Sequence, residues 1–344
     1  MKVEIINPTE CRGWDDMVIA TSSYSCFHSS AWAKVLCKSF RYRPLYFTLA
    51  DRGDLLALLP MMEVRSFPTG RRGVSLTFTD YCEPIVKDRT AFHVLLEEAI
   101  AHGKKSGWRY IELRGGQEYL PDAPTSARYL GHKLALTSNE QDLLSCFRGN
   151  TRWHINKSAK EGLEIQIDTT LRSVEEFYRL HCMTRKRHGV PPQPFHFFRN
   201  IHEYILEKNL GYVVLASYNN TNIAGAVCFH FGNKALYKYS ASDVKYRQLD
   251  ASNLVLWEAI KKYSLSGYSE FCFGRTGCDD EGLRKFKAGW GTTENDIYYY
   301  RYDIGAGKFA DNDPTKIANY AKYIERLPDP MLRVIGQVLY RHMG

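Results

Sequence analysis

The sequence contains no apolar run close to the roughly 20 residues that a membrane-spanning helix needs. Its first residues also lack the apolar stretch of a secretion signal, because Glu4 stands where that stretch would begin. The nine cysteines are odd in number and form no Cys-x-x-Cys pair, which disfavours a disulfide scaffold and a zinc site. We therefore expect a cytoplasmic protein whose thiols are reduced.

Several signatures of covalent and metal catalysis are also missing. There is no Gly-x-Ser-x-Gly motif and no Cys–His arrangement that would indicate an activated nucleophile. The eleven histidines form neither a His-x-x-x-His nor a His-Glu-x-x-His pair, which argues against a metal centre. We expect neither a metal nor a bound cofactor.

Positive charge, by contrast, is present and locally concentrated. The net charge is +8, and two clusters of cations lie close together in the chain: Arg148, Arg152, His154, Lys157 and Lys160, then Arg179, Arg185, Lys186 and Arg187. Such clusters attract polyanions such as phosphates or RNA, although a solvated helix face produces the same pattern. Charge alone favours the solvated helix face.

The pattern of apolar residues predicts the same order of elements twice: a helix, two strands joined by a tight turn, a third strand, a helix and a fourth strand. In the first half we expect helices at 32–40 and 89–105, a loop at 68–73, and strands at 44–50, 55–62, 74–79 and 108–113. In the second half we expect helices at 175–187 and 252–265, and strands at 212–218, 223–231 and 235–240. A fourth strand should follow the second helix and lead into residue 273.

This repeat predicts two α/β domains, residues 1–138 and 139–305, in a chain whose 44% hydrophobic residues suffice for about two cores. The tail, residues 306–344, is expected to pack back on the first domain. From Asp311 onward it should hold two helical stretches, of which the second is amphipathic.

The stretch from Phe273 to Gly291 is the part of the sequence that most suggests chemistry. It joins two predicted strands and contains five glycines, an acidic triplet and four cations: Arg275, Arg284, Lys285 and Lys287. Glycines let a backbone approach a ligand closely, and clustered cations suit an anionic or carbonyl-bearing substrate. A solvated connection with ordinary surface charges is the alternative.

Four short motifs lie in order on this duplicated plan: Trp32-Ala-Lys, Arg187-His-Gly, Tyr237-Lys-Tyr239, and Gly282-Leu-Arg-Lys-Phe-Lys287 after a Phe-Gly-Arg turn. Together they resemble the Fem-type (FemABX) aminoacyltransferases and the broader FemAB-related acyltransferases. The resemblance covers the chain from about Phe27 to Tyr302. It implies tandem GNAT-like domains, each an α/β unit with a mixed, mostly antiparallel sheet flanked by helices.

The resemblance further implies an N-acyltransferase that takes an aminoacyl group from aminoacyl-tRNA. The acceptor would be an amine on a small molecule or on a nucleotide- or lipid-linked precursor of peptidoglycan or another part of the cell envelope. A lipid-linked acceptor would bring the protein into peripheral contact with a membrane. Because a tRNA ester is already activated, this chemistry needs no protein nucleophile.

Site residues follow from the same resemblance. Lys287 would be catalytic, stabilising the oxyanion of the tetrahedral intermediate, a task that a fixed cation performs well. The substrate-binding residues would be Phe286 at the aminoacyl-tRNA end, Lys34 and Arg187 on acceptor phosphates, Tyr237 and Tyr239 along the cleft, and Arg275 beside the motif. Simpler interpretations stay open. The two tyrosines could share one strand face and form part of a half-buried wall. Lys34 could be an exposed helix lysine, and Arg187 could interact with the dipole of its helix.

Two other functions are compatible with the sequence. A GNAT-type enzyme could use acyl-CoA, but such enzymes usually hold the pyrophosphate on a glycine-rich loop at a helix N-terminus. The equivalent residues here, Tyr246 to Ser252, contain no glycine. The chain could also be a non-catalytic RNA-binding protein on a degenerate transferase fold, in which case its RNA affinity would depend steeply on salt without turnover.

Overall fold

The computed structural model describes residues 2–21, 23–311 and 327–343. The chain forms two compact units as far as these residues show. One unit comprises Met1–Tyr129, Asp296–Lys316 and Val338–Gly344, and the other comprises Leu130–Asn295 and Ile317–Gln337. The expected domain limits, and the expected packing of the tail on the first domain, stay predictions.

Both units contain helices and strands. The first elements are β1 Glu4–Ile6, α1 Trp14–Ile19, α2 Ser30–Phe40, β2 Arg43–Asp51, β3 Asp54–Ser66, β4 Gly70–Val74, α3 Arg89–Ser106, β5 Trp108–Arg114 and β6 Ala127–Ala135. There follow α4 Glu140–Cys146, α5 Gly149–Ser158, β7 Glu164–Asp168, α6 Leu171–Arg187, α7 Phe195–Ile201, β8 Gly211–Tyr218, β9 Thr221–Phe231 and β10 Lys234–Ser242. The last are α8 Ala251–Leu265, β11 Glu270–Gly277, α9 Glu281–Ala288, β12 Thr293–Asp303, β13 Lys308–Phe309 and α10 Asp329–Leu339.

In the first unit the strands lie in the order β1-β2-β3-β4-β5-β12, with β13 beside β12. β4 and β5 are parallel, and the other neighbouring pairs are antiparallel.

Residues that the sequence marks as capping signals lie at the ends of two helices of this unit. Ser29 caps α2 by accepting a hydrogen bond from the amide of Trp32, and α3 ends at Gly107, which adopts φ +69°. Apolar side chains of β2, β3, α3 and β5 pack into one core that includes Phe47 and Trp108.

In the second unit the order is β6-β11-β10-β9-β8-β7. β10 and β11 are parallel, whereas β7, β8, β9 and β10 pair antiparallel in succession. The core is built largely on α8, whose buried residues include Trp257 and Tyr263, and it extends to Trp290, two residues beyond the end of α9. Each unit thus has a hairpin, a third strand, a helix and a fourth strand parallel to the third, so the expected α/β repeat is confirmed.

Two local predictions in the first unit are wrong. The loop expected at 68–73 contains most of β4, and the strand expected at 74–79 has only Val74 in extended pairing. The reason is that Leu76 and Phe78 adopt φ of +59° and +58°, a left-handed conformation that ends the strand.

The stretch from Phe273 to Gly291 also differs from an open connection, since it contains α9. Elements for which no expectation was formed are β6, α4, α5, β7, α7 and β13.

The tail is described only in part. The first helical stretch expected there falls on residues 312–326, outside the described residues, whereas the amphipathic second stretch is α10. Beyond α10, the carbonyl oxygens of Tyr340 and Arg341 accept hydrogen bonds from the Tyr42 hydroxyl at 3.3 and 3.1 Å. Within the described ranges, no helix combines the length and apolar character that crossing a bilayer requires.

Candidate active site

Lys287 lies near the end of α9, a short helix whose start is fixed by Asp280. The Asp280 carboxylate accepts a hydrogen bond from the amide of Leu283 at 3.0 Å, which satisfies one of the unpaired donors of the first turn. The helix then carries Lys287 back over β11, the strand that precedes it. The Lys287 side chain is therefore held against the sheet.

The Lys287 side chain is buried, with 6% of its surface exposed. Its ammonium group donates hydrogen bonds to the carbonyl oxygens of Gly274 at 3.1 Å and Arg275 at 2.9 Å. Taking a charged ammonium out of water costs free energy unless polar partners replace the solvent, and these two carbonyls are such partners. The arrangement fixes a cation at a defined point beside β11.

His132, on β6 next to β11, is a second buried polar residue near this cation. Burial first, and then the positive charge of Lys287, lower the pKa of His132 to about 4, so the imidazole is neutral at pH 7. Among the described residues, neither ring nitrogen has a hydrogen-bond partner. The Thr276 hydroxyl on β11 is likewise buried without a partner in the described part of the chain.

A cavity of about 490 Å³ lies in the same unit, at the start of α8. Phe286, the neighbour of Lys287 on α9, lines it together with Arg187 from the end of α6. The other lining residues come from β9, the end of β10, the short 3₁₀ segment Val244–Leu249 and the first turn of α8: Ile223, Ser242, Asp243, Val244, Tyr246, Arg247, Asp250, Ala251, Ser252 and Asn253.

The charges around this cavity favour an anion. Arg187 and Arg247 are exposed cations on its wall, and the first amides of α8 point out of the N-terminal end of a 15-residue helix. Both acidic lining residues already have partners. The Asp250 carboxylate accepts hydrogen bonds from His154 at 3.0 Å and Lys157 at 2.9 Å, and the Asp243 carboxylate accepts one from the amide of Lys245 at 2.9 Å. Burial works in the opposite direction, but the contacts with His154 and Lys157 hold the pKa of Asp250 below its usual value.

Within the second unit, the structure brings several of the expected site residues together. Arg187 and Phe286 share the cavity, and Lys287 follows Phe286 on α9 and binds the Arg275 carbonyl. Lys34 is a half-buried residue of α2 in the other unit. The role of each of these residues stays a prediction.

Tyr237 and Tyr239 do not share a strand face, so that expectation is wrong. β10 has a bulge between them, at which the register with β9 shifts. Tyr237 therefore packs near Phe271 and Phe273 of β11. Tyr239 instead lies in an aromatic cluster on the α6 and α7 side, with ring centroids 5.3 Å from Phe198 and 6.2 Å from His181.

Sequence reasoning missed His132, Arg247 and Asp250. The only signal for the last two was their place in the stretch at which GNAT enzymes hold pyrophosphate. His132 gave no signal, because neither a motif nor a periodicity marks it. No cluster of three or more His, Cys, Asp or Glu side chains arranged to hold a metal occurs in the described ranges.

Comparisons with known proteins fit this architecture. Residues 145–288 match the family model of the acetyltransferase (GNAT) domain. FemX has a TM-score of 0.69 and 14% identity over 87% of this chain and 97% of its own. A tandem GNAT protein from the clavulanic acid biosynthesis pathway has a TM-score of 0.56 and 12% identity over 88% of this chain and 99% of its own.

A third structure of the same fold is the C-terminal domain of a protein assigned as lysylphosphatidylglycerol synthetase from Agrobacterium fabrum. It has a TM-score of 0.57 and 13% identity, over 97% of either chain. No curated protein matches the chain in sequence. The chain thus carries a region, residues 145–288, that matches a GNAT-type acetyltransferase domain, and it has the tandem α/β fold of FemX.

Proposed function

We propose that the protein transfers an aminoacyl group from aminoacyl-tRNA to an amine acceptor, with Lys287 as the catalytic cation. The observation that carries this proposal is the buried ammonium of Lys287, held by the carbonyls of Gly274 and Arg275 next to a cation-lined cavity. The acceptor we expect is a nucleotide- or lipid-linked precursor of the cell envelope. The reaction would be cytoplasmic, because aminoacyl-tRNA is made there.

Aminoacyl transfer to an amine is accelerated by a cation held at a fixed position. When the neutral amine attacks the ester carbonyl, a C–N bond forms and negative charge develops on the carbonyl oxygen. The C–O bond to the ribose then breaks, and the proton lost by the amine leaves with the ribose oxygen. A preorganised cation that binds the developing oxyanion contributes on the order of 10²–10³ in rate. Lys287 is suited to this task, since its position is set by two backbone carbonyls before any substrate binds.

The cavity supports a phosphate-bearing donor. Arg187 and Arg247 offer guanidinium groups, which bind phosphate in a bidentate manner. The exposed ring of Phe286, with 38% of its surface accessible, offers an apolar face beside them. A nucleotide has this combination of phosphates and aromatic bases. The name of one structural neighbour, lysylphosphatidylglycerol synthetase, describes an amino acid joined to a lipid, and this supports a lipid-linked acceptor with peripheral membrane contact.

Acyl-CoA is the second candidate donor, and a specific observation favours it. The matched family is an acetyltransferase family, and the cavity lies at the N-terminus of α8, where a pyrophosphate is well accommodated. Against it, the residues before α8 form a 3₁₀ segment without glycine, and Asp250 occupies the cap position with φ +52°. Side chains at these positions leave less room for a pyrophosphate to approach the backbone than glycines would.

Single-turnover transfer separates the two donors. The protein would be mixed with a panel of radiolabelled aminoacyl-tRNAs and, separately, with acyl-CoAs, using an amine acceptor pool from cell-envelope precursors. We expect consumption of one aminoacyl-tRNA, reduced on the order of 10²-fold or more by Lys287→Ala. Lys285→Ala is the matched control, because Lys285 lies on the same helix but is exposed and pairs with Glu281 at 3.0 Å. Turnover of acyl-CoA alone would contradict the proposed donor, and full activity of Lys287→Ala would contradict the proposed catalytic residue.

A further inference from the structure

α5 presents an exposed face that carries positive charge and one large aromatic ring. Arg148, Arg152, Lys160, Trp153 and Lys157 project from this side, whereas Thr151, Ile155 and Ser158 are buried on the other. No acidic residue occurs from Leu143 to Lys160. The five outward residues are called the basic face below.

Trp153 is the unusual member of the basic face. Its indole is 56% exposed, although burying such a ring is normally favourable. The Lys157 ammonium is 5.5 Å from the centroid of the indole ring, and the His154 ring meets the indole edge-on at 4.9 Å. A solvated helix face would need the charges but not the exposed indole. Exposed aromatic rings interleaved with cations are the pattern by which proteins bind single-stranded nucleic acid, stacking bases and neutralising phosphates.

The basic face is joined to the cavity by direct contacts within the same unit. Lys157 donates hydrogen bonds to the carbonyl oxygen of Gln248 at 2.6 Å and to the carboxylate of Asp250 at 2.9 Å. His154 binds the same carboxylate, and Asp250 lines the cavity together with Arg187 and Arg247. A strand whose last nucleotide lies in the cavity would therefore have cations and an aromatic ring beside it along α5.

We propose that the basic face binds the single-stranded 3′ end of an RNA, with a base stacked on Trp153 and phosphates on Arg148, Arg152 and Lys160. This inference rests on the proposed aminoacyl-tRNA donor and deepens it by assigning the surface that holds the RNA. RNA is favoured over an anionic membrane because the face has one aromatic ring among separated charges and no apolar ridge that would insert into lipid.

The test measures binding and not transfer. The probe is a 5′-fluorescein-labelled single-stranded RNA ending in CCA, about 12 nucleotides long, titrated by anisotropy at several salt concentrations. We expect Trp153→Ala to weaken binding about 10-fold or more, and Trp153→Phe to keep most of the affinity. Arg148→Ala with Arg152→Ala should lower the slope of log affinity against log salt by about 1.4, the value for two phosphate contacts on a single strand.

The matched control is the double variant Lys208→Ala with Lys262→Ala, which removes the same charge from two other exposed positions of the same unit. It should leave the salt slope unchanged. Wild-type RNA affinity in the Trp153→Ala and double-arginine variants would overturn the proposal. So would loss of binding to phosphatidylglycerol-containing vesicles with RNA binding intact, since the face would then be a membrane contact.

Failure of this inference and failure of the proposed donor give different results. If the wild type consumes aminoacyl-tRNA but the basic-face variants bind the probe normally, only the RNA surface is wrong. If the wild type consumes acyl-CoA alone, the donor is wrong whatever the probe shows. All the substituted residues are exposed, and the half-buried Lys157 and His154 are left intact, so unchanged thermal melting of each variant checks that the fold is preserved.

Discussion

The ammonium nitrogen of Lys287 lies 3.1 Å from the carbonyl oxygen of Gly274, so a helix side chain is tied to the strand that precedes the helix. Gly274 has φ +68°, a conformation that side chains adopt rarely and that turns the backbone locally. The Arg275 carbonyl supplies a second acceptor at 2.9 Å. The backbone of β11 therefore helps to set the position of the cation.

Replacing Lys287 by methionine separates the contribution of the ammonium group to the rate of transfer from its contribution to the stability of the fold. Methionine has a similar length and no charge, so the cost of burying an ammonium disappears while two carbonyl acceptors lose one donor. We expect the free energy of unfolding to change by no more than about 1 kcal/mol, because these effects oppose each other. The turnover number should fall on the order of 10²–10³-fold, with KM changed little, because the lost interaction forms only in the transition state.

Steady-state kinetics and urea unfolding of Lys287→Met check this prediction, with Lys285→Met as the control. A variant that unfolds more easily by several kcal/mol and loses activity in proportion would show that Lys287 is a structural residue. A rise in KM at constant kcat would show that it binds the ground state.

The cavity arginines should act on donor binding. Arg187→Ala and Arg247→Ala each remove a guanidinium from the wall of the cavity, so we expect KM for the donor to rise about 10-fold with kcat within about twofold. The rise should shrink at high salt, since exposed charges are screened. Arg199→Ala, on α7 and outside the cavity lining, is the control and should behave as wild type. Equal KM values for all four proteins would remove the cavity from the donor site.

The sequence was informative wherever a long periodic pattern met a clear end signal. α3 is an example, since its apolar spacing and Gly107 predicted both its existence and its end. It was not informative where one residue changes the register. The bulge between Tyr237 and Tyr239 moves the two rings to opposite sides of β10, and a pattern of period two gives no warning of it. Leu76 and Phe78 look like strand residues, but in the folded chain both adopt a left-handed conformation.

The candidate site was predictable only for the residues that belong to a motif. Phe286 and Lys287 stand in the Gly282-to-Lys287 motif, and the structure places them beside the cavity and against β11. His132 comes from a strand far away in sequence and enters the neighbourhood of Lys287 only because β6 pairs next to β11. Such a relationship follows from topology and is invisible in the local sequence.

Gly336 tests how α10 is attached to the second unit. A Cβ atom built at this residue would lie 2.0 Å from the carbonyl oxygen of Pro192, so the helix backbone needs glycine for its close approach. In an ordinary helix, glycine to alanine stabilises by roughly 1 kcal/mol. We expect Gly336→Ala to have the opposite sign and to destabilise by about 1–3 kcal/mol, because the helix must move away from Pro192.

Gly282 on α9 is the matched control for Gly336, since a Cβ there would meet nothing closer than a carboxylate oxygen of Asp280 at 3.7 Å. Gly282→Ala should therefore be neutral or stabilising by up to about 1 kcal/mol. Urea unfolding of the two variants under one set of conditions gives the comparison. A stabilised Gly336→Ala protein would mean that α10 does not pack closely against Pro192.

Buried His181 makes stability sensitive to acid. Burial first, and then the charge of Arg185, lower the pKa of His181 to about 3, whereas its hydrogen bond to Gln193 at 2.7 Å acts in the other direction. In the unfolded chain the pKa is about 6.5, so protons bind the unfolded state more readily. The stability is therefore fully present above pH 6.5 and decreases as the pH falls from about 6.5 towards 3. For this one group the loss between pH 7.5 and pH 5 is about 2 kcal/mol.

The variant His181→Phe isolates this contribution, because phenylalanine cannot titrate and the surrounding rings of Tyr178, Phe198 and Tyr239 accommodate an aromatic side chain. Urea unfolding at pH 7.5 and at pH 5 gives a free-energy difference for each protein. We expect the difference to be smaller in His181→Phe by about 2 kcal/mol, whatever the variant's stability at pH 7.5. His132 and the other histidines titrate in both proteins and cancel in this comparison. An unchanged difference would mean that water reaches His181 and that its imidazole is protonated at its ordinary pKa in the folded protein.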